Sequence, residues 1–229
     1  MKTSNKLLFI LVTVLFMGIL ASSMVLKSEF EKIDRDNPFY GYAQENLEPF
    51  TAVKLSGNYP HLVQLQQGDT YELLTTHDAR PNLLWEVKDD TLVISIQYPE
   101  SNSSYNQNYA FYDNHAGVNI IAPHLSALFT EGITCRLSGW DEAQMSIHMK
   151  GYQRGILLKE NTIAQLSASI RQGGLVLLDE NNKVELAKIE VRDSSTFTAG
   201  YAAIDSLNIN VDQTAQVKLP GYLLSRLVP

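Results

Sequence analysis

The densest group of side chains fit for recognition chemistry lies at residues 98–115, YPESNSSYNQNYAFYDNH. Tyr98, Tyr105, Tyr109, Phe111 and Tyr112 stand there among Asn, Ser and Gln. Rings on a polar loop can stack on a sugar or pack on a partner while amides supply hydrogen bonds. The same rings can also cover one side of a domain, which is a packing role. The five histidines, His61, His77, His115, His124 and His148, show no metal-ligand spacing to one another. Cys135 is the single cysteine. One thiol allows no disulfide within the chain and no cysteine-rich zinc or iron–sulfur site. The acidic pairs Asp89-Asp90, Asp141-Glu142 and Asp179-Glu180 fall in expected turns, where carboxylates are solvated. There is no Gly-x-Ser-x-Gly, His-Glu-x-x-His, phosphate-binding glycine loop or EF-hand loop. No catalytic, metal or cofactor residue is therefore assigned, and no cofactor is expected. The five aromatics of 98–115 are the candidate binding surface.

The elements that must carry these residues are written as a repeat. Phe129, Met149, Ile170, Val191 and Val211 recur every 20 or 21 residues. Ala127, Ile147, Ala168, Ile189 and Ile209 precede them by two, and Leu125, Met145, Leu166, Ala187 and Leu207 by four. Polar residues alternate with them, as in a strand with one buried face. His148, Lys188, Glu190 and Asn210 then face solvent. A turn follows in register, and a second strand brings Cys135 and Leu137, Val176 and Leu178, Phe197 and Ala199, Val217 and Leu219 inward. In the second repeat the inward pair is Gly155 and Leu157, or Ile156 and Leu158 if the turn holds one more residue. The expected fold is all-β: a single-stranded parallel β-helix of about five clear coils, with neighbouring coils supplying the core. An antiparallel sandwich is the alternative. The Leu-x-x-Leu-x-Leu pattern with a recurrent Asn, which a leucine-rich horseshoe needs, is not found.

Residues 47–98 also read as strands, placed as first coils or a cap. Leu83, Trp85 and Val87, a turn at Lys88-Asp89-Asp90-Thr91, and Leu92, Ile94 and Ile96 predict a hairpin. The succession Phe50-x-x-Val53, Gly57, Leu62-Val63-Gln64-Leu65-Gln66-Gln67-Gly68 and Val87-Lys88-Asp89-Asp90-Thr91-Leu92-Val93-Ile94 resembles the auto-transporter adhesin head GIN domain family. The resemblance covers roughly residues 47–221. It implies a β-helical fold and export to the envelope of Bacteroidetes-type bacteria, and it carries no catalytic residues. The family's Gly-rich turns are kept only at Gly132 and Gly173-Gly174. The chain ends at Pro229 without room for a C-terminal barrel, so autotransport is not expected.

Ahead of all this runs Leu7 to Leu26, uncharged and long enough to cross a bilayer. Lys2 and Lys6 precede it, which orients the N-terminus to the cytoplasm and the rest outside. A cleaved signal with Ala21-Ser22-Ser23 near the cut is the rival reading. The expected organisation is an anchor or signal at 1–26, a juxtamembrane stalk at 27–46, and a β domain at 47–229. All 25 acidic residues follow the apolar run, so the exported part is more acidic than the whole chain at −7. That balance disfavours nucleic acid and anionic lipid as partners. The reading is a non-catalytic extracytoplasmic envelope module that binds a polysaccharide or an envelope protein. The alternative is a carbohydrate-active β-helix enzyme. It would need acids, or an acid with Arg, clustered outward on adjacent coils, and the sequence shows none.

Overall fold

The computed structural model describes residues 3–32, 34, 37–98, 116–151 and 154–225. They form two compact units, Met1–Gly41 and Tyr42–Pro229. The first holds helix α1, Thr3–Glu31. Its stretch Asn5–Glu31 is long and apolar enough to cross a membrane. Twenty-seven residues span about 40 Å. Two of its hydroxyls bond to the helix's own backbone. The Thr13 hydroxyl donates to the Phe9 carbonyl at 2.9 Å, and that of Ser23 to Ile19 at 2.8 Å. Such i to i−4 bonds suit an apolar surrounding.

The second unit is built from strands β1 Ala43–Asn46, β2 Ala52–Asn58, β3 Val63–Gln67, β4 Glu72–Thr75, β5 Leu83–Lys88 and β6 Thr91–Gln97. Then come β7 Val118–Ala122, β8 Ala127–Glu131, β9 Cys135–Ser138, β10 Asp141–Lys150, β11 Gly155–Lys159 and β12 Thr162–Arg171. The last are β13 Leu175–Leu178, β14 Lys183–Val191, β15 Thr196–Ala199, β16 Ala203–Val211 and β17 Gln216–Lys218, followed by helix α2, Gly221–Leu224. Strand β1 lies within the stretch expected as a stalk.

The strands form two sheets. One is nine-stranded, in the order β1-β4-β7-β3-β9-β11-β13-β15-β17. The other is eight-stranded, in the order β16-β14-β12-β10-β8-β2-β6-β5. This corrects the expectation of a single-stranded parallel β-helix. Both sheets are mixed: β1–β4, β4–β7 and β5–β6 pair antiparallel. Spatial order also departs from chain order, because β2 lies between β6 and β8, and β3 between β7 and β9. The physical cause is local. The tight turn at Asp89 and Asp90, both in the left-handed region, folds β6 back on β5 and makes an antiparallel pair.

In the second half the repeat holds as a parallel register. Met145, Leu166, Ala187 and Leu207 align across β10, β12, β14 and β16, and Ile147, Ala168, Ile189 and Ile209 align beside them. The inner rows are buried, except at the sheet edge formed by β16. There Ile209 is only partly buried and Val211 is exposed, because no further strand covers them. Ile156 and Leu158, not Gly155 and Leu157, pair with Cys135 and Leu137 and point inward. The first repeat is shifted by one residue. Ala127 pairs with Ser146 and Leu128 with Ile147, so Leu128 and Thr130 are buried and Phe129 is exposed. Leu125 and Leu128 both point in because Ser126 and Ala127 lie between them as one extra outward step, a bulge-like slip.

The four long strands also bend. Their pairing skips Ala143–Ala164, Ala164–Glu185 and Glu185–Asp205, and on β12, β14 and β16 the inward residues there are three apart: Ile163 and Leu166, Val184 and Ala187, Ile204 and Leu207. A second buried row thereby precedes the one read from the repeat. Inside the turns, Asn161 and Asn182 form a ladder. The Asn161 side chain donates to the Leu137 carbonyl and accepts the Trp140 N–H. That of Asn182 donates to Leu158 and Asp179 carbonyls and accepts the Asn161 N–H. These side chains satisfy backbone groups that the turns leave unpaired inside the protein.

Candidate ligand-binding surface

Of the aromatic candidates, Tyr98 is described, and it is a packing residue. Its ring sits edge-on to Tyr59 at 5.8 Å and to His61 at 6.2 Å, and its hydroxyl donates to the Asp78 carbonyl at 3.3 Å. Tyr105, Tyr109, Phe111, Tyr112 and His115 lie outside the described residues. Cys135 is fully buried, and burial pushes its thiol far above the ordinary cysteine range. It is a core side chain and a poor nucleophile. Among the described residues, no group of three or more His, Cys, Asp or Glu could hold a metal ion. Glu142 does structural work: its carboxylate accepts the Leu125 N–H at 2.9 Å.

The outward positions of the long strands make a different candidate. Parallel pairing stacks Ser146, Ser167, Lys188 and Asn208 in one row, and His148, Ser169, Glu190 and Asn210 in the next. Lys150 and Arg171 begin a third row, which Arg192 continues just beyond β14. All of these but Ser146 and Arg192 line a groove of about 610 Å³. Lys150, Arg171 and Lys188 face a single carboxylate, Glu190, in that lining.

Glu190 is held on both sides. One carboxylate oxygen lies 3.3 Å from the Arg171 guanidinium and accepts the Ser169 hydroxyl at 3.3 Å, and the other lies 2.6 Å from Arg192. Desolvation pushes its pKa up, but the Arg171 hydrogen bond, the Arg192 and Arg171 charges and the Ser169 bond together set it below the usual glutamate value. The sequence reading saw no acid-plus-Arg cluster on adjacent coils. The structure brings one together. It holds a fixed charge: the carboxylate stays ionised and is a poor proton donor, and two-carboxylate hydrolysis needs a second acid beside it. On the neighbouring strand β8, the exposed ring of Phe129 stacks on the groove's His148, 4.7 Å apart and nearly parallel.

Across the bend, the same four strands line a second groove of about 530 Å³ with the opposite charge. Asp141, Glu142, Glu185 and Asp205 stand there with one Lys183. Neither groove was read from the sequence. The signal was present in the outward columns, since Lys150, Arg171 and Arg192 recur every 21 residues.

A scan against protein-family models found no match, and a search among curated proteins found none. Solved structures do resemble the chain. A "putative adhesin" of Parabacteroides distasonis aligns at TM-score 0.57 and 13% identity, over 77% of this chain and 71% of that one. A "putative lipid binding protein" of the same species aligns at TM-score 0.55 and 14% identity, over 77% and 72%. A "putative adhesin" of Bacteroides fragilis aligns at TM-score 0.52 and 13% identity, over 78% and 96%. The adhesin-like resemblance is thus seen at the level of fold.

Proposed function

We propose that this chain is a membrane-tethered binding module that carries its β domain outside the cytoplasm and acts by recognition. One observation carries the reading. An apolar helix of bilayer length stands at the N-terminal end of a fold shared with structures named as adhesins and as a lipid-binding protein. Lys2 and Lys6 before the uncharged run Leu7–Leu26, against the acidic excess after it, support a cytoplasmic N-terminus. In this reading residues 1–26 anchor or export the chain, 27–46 lead away from the membrane, and 47–229 bind an envelope polymer or protein. The aromatic-rich stretch 98–115 is a second contact region on composition alone. Its test is deletion of 102–114, which should weaken envelope association while leaving the thermal midpoint nearly unchanged.

Mass spectrometry of the protein from its native membrane, with protease added to spheroplasts, tests the whole reading. The intact N-terminal helix should be recovered and the β domain digested from outside. A mature N-terminus at Met24 would replace the tether with a released domain. Full protection from external protease would overturn the topology.

A further inference from the structure

We infer that the cationic groove on the outer face of β10, β12, β14 and β16 is a binding site for an acidic polysaccharide. The inference rests on the binding-module reading above and names its site and ligand class.

Charge is the first argument. The chain carries −7 overall, yet this groove gathers Lys150, Arg171 and Lys188 around one carboxylate. Cations concentrated in a cleft of an acidic protein select an anionic ligand against the rest of the surface. Glu190 does not cancel this. It splays two guanidinium groups from one point and fixes them, which lowers the entropy cost of binding.

Shape is the second. The rows cross the strands, so equivalent side chains repeat at the strand spacing of about 4.8 Å. Over the five strands from Phe129 on β8 to Asn210 on β16, this makes a track of about 19 Å. The spacing is close to the length of one sugar unit in a linear chain. A single headgroup would use only one step of it.

The polar lining points the same way. Ser167, Ser169, Asn208 and Asn210 offer hydroxyl and amide partners suited to sugar hydroxyls. The Phe129–His148 stack at one end supplies a flat apolar edge. A lipid surface would call for a rim of large exposed apolar side chains along the groove, and among the described residues only Phe129, beside His148, is of that kind there.

The experiment uses the full chain in neutral detergent micelles. The probes are polygalacturonate, dextran of equal length and phosphatidylglycerol vesicles, and sedimentation reports self-association. Polygalacturonate should bind, weaken steeply with salt, and lose at least tenfold in affinity in the double variant Arg171→Ser, Lys188→Ser. The single reversal Lys188→Glu should weaken it in the same direction. Asp141→Asn with Glu185→Gln, across the bend, should leave it unchanged. All variants should keep the wild-type unfolding midpoint, and if the double variant does not, Lys188→Glu decides. Equal binding to dextran, binding to vesicles instead, binding unaffected by the groove variants, or a dimer that the groove variants dissociate would each overturn the proposal. In those cases association of the chain with native envelope fractions would keep the binding-module reading standing. Its absence would remove both.

Discussion

The two halves of the β domain reach the same layered arrangement by different routes. From β10 onward, each strand pairs with the equivalent strand 20 or 21 residues away, in parallel and in chain order. Before β10, strands are inserted out of order and antiparallel pairs appear. Repetition makes the later half depend on nearest neighbours alone. The earlier half depends on contacts such as β2 with β8, some 75 residues apart, as in Ala52 with Ala127. The lesson is that stability in the later half is spread over equivalent rows, whereas in the earlier half it rests on a few junctions.

The sharpest way to break this contrast is at a junction. Gly57, on β2 between β6 and β8, has φ +122°, and a Cβ there would lie 2.0 Å from the Ile96 carbonyl oxygen. Gly57→Ala should destabilise by about 5 kcal/mol or prevent folding, as read from urea unfolding. A loss below about 1 kcal/mol would show that the junction yields easily. In the repeating half, Ile189→Ala should cost about 2–5 kcal/mol through lost burial and a cavity. The same change at Ile209, on the edge strand, should cost clearly less, and equal costs would deny the edge.

Asn182→Ala comes next, at about 2–3 kcal/mol. It strips hydrogen bonds from the Asn161 N–H and from two carbonyls in a buried turn. Aspartate there, which accepts but cannot donate, should fail to restore stability. Cys135 gives a yes-or-no check on the same interior: a thiol reagent should label it only after unfolding.

The smallest effect belongs to the outer face. Glu190→Gln should change neutral-pH stability by no more than about 1 kcal/mol, because the ion pairs are partly solvated. Its sign follows from the lowered pKa. The contribution is present above the unfolded glutamate value and fades as pH falls through the lower native one. Wild type and variant should therefore differ slightly at neutral pH and converge on the acid side of the ordinary glutamate range. A gap that widens with acid would reverse the assignment.

Much of the later half follows from residue alternation alone. The burial of Ile147, Ile170, Ile189 and Cys135 and the outward course of His148, Lys188 and Asn210 were legible from alternation, because a strand has only two faces. The bilayer-length helix was legible from an uncharged run. Tertiary structure decided what alternation cannot carry. Phe129 looked inward by position, but pairing of β8 with β2 and β10 shifted the register by one and set its ring on His148. The β5–β6 hairpin was legible from its local pattern, whereas the insertion of β2 and β3 between later strands and the antiparallel pairing of β4 with β1 and β7 are choices that local pattern does not decide. Asn161 and Asn182 recur at the repeat spacing, yet as short polar residues they read as turn-formers until the buried carbonyls beside them are known. The opposed charges of the two grooves were also present as columns of residues. Only the bend in β10, β12, β14 and β16 separated those columns into two concave surfaces, because a run of side chains becomes a site when the backbone turns around it.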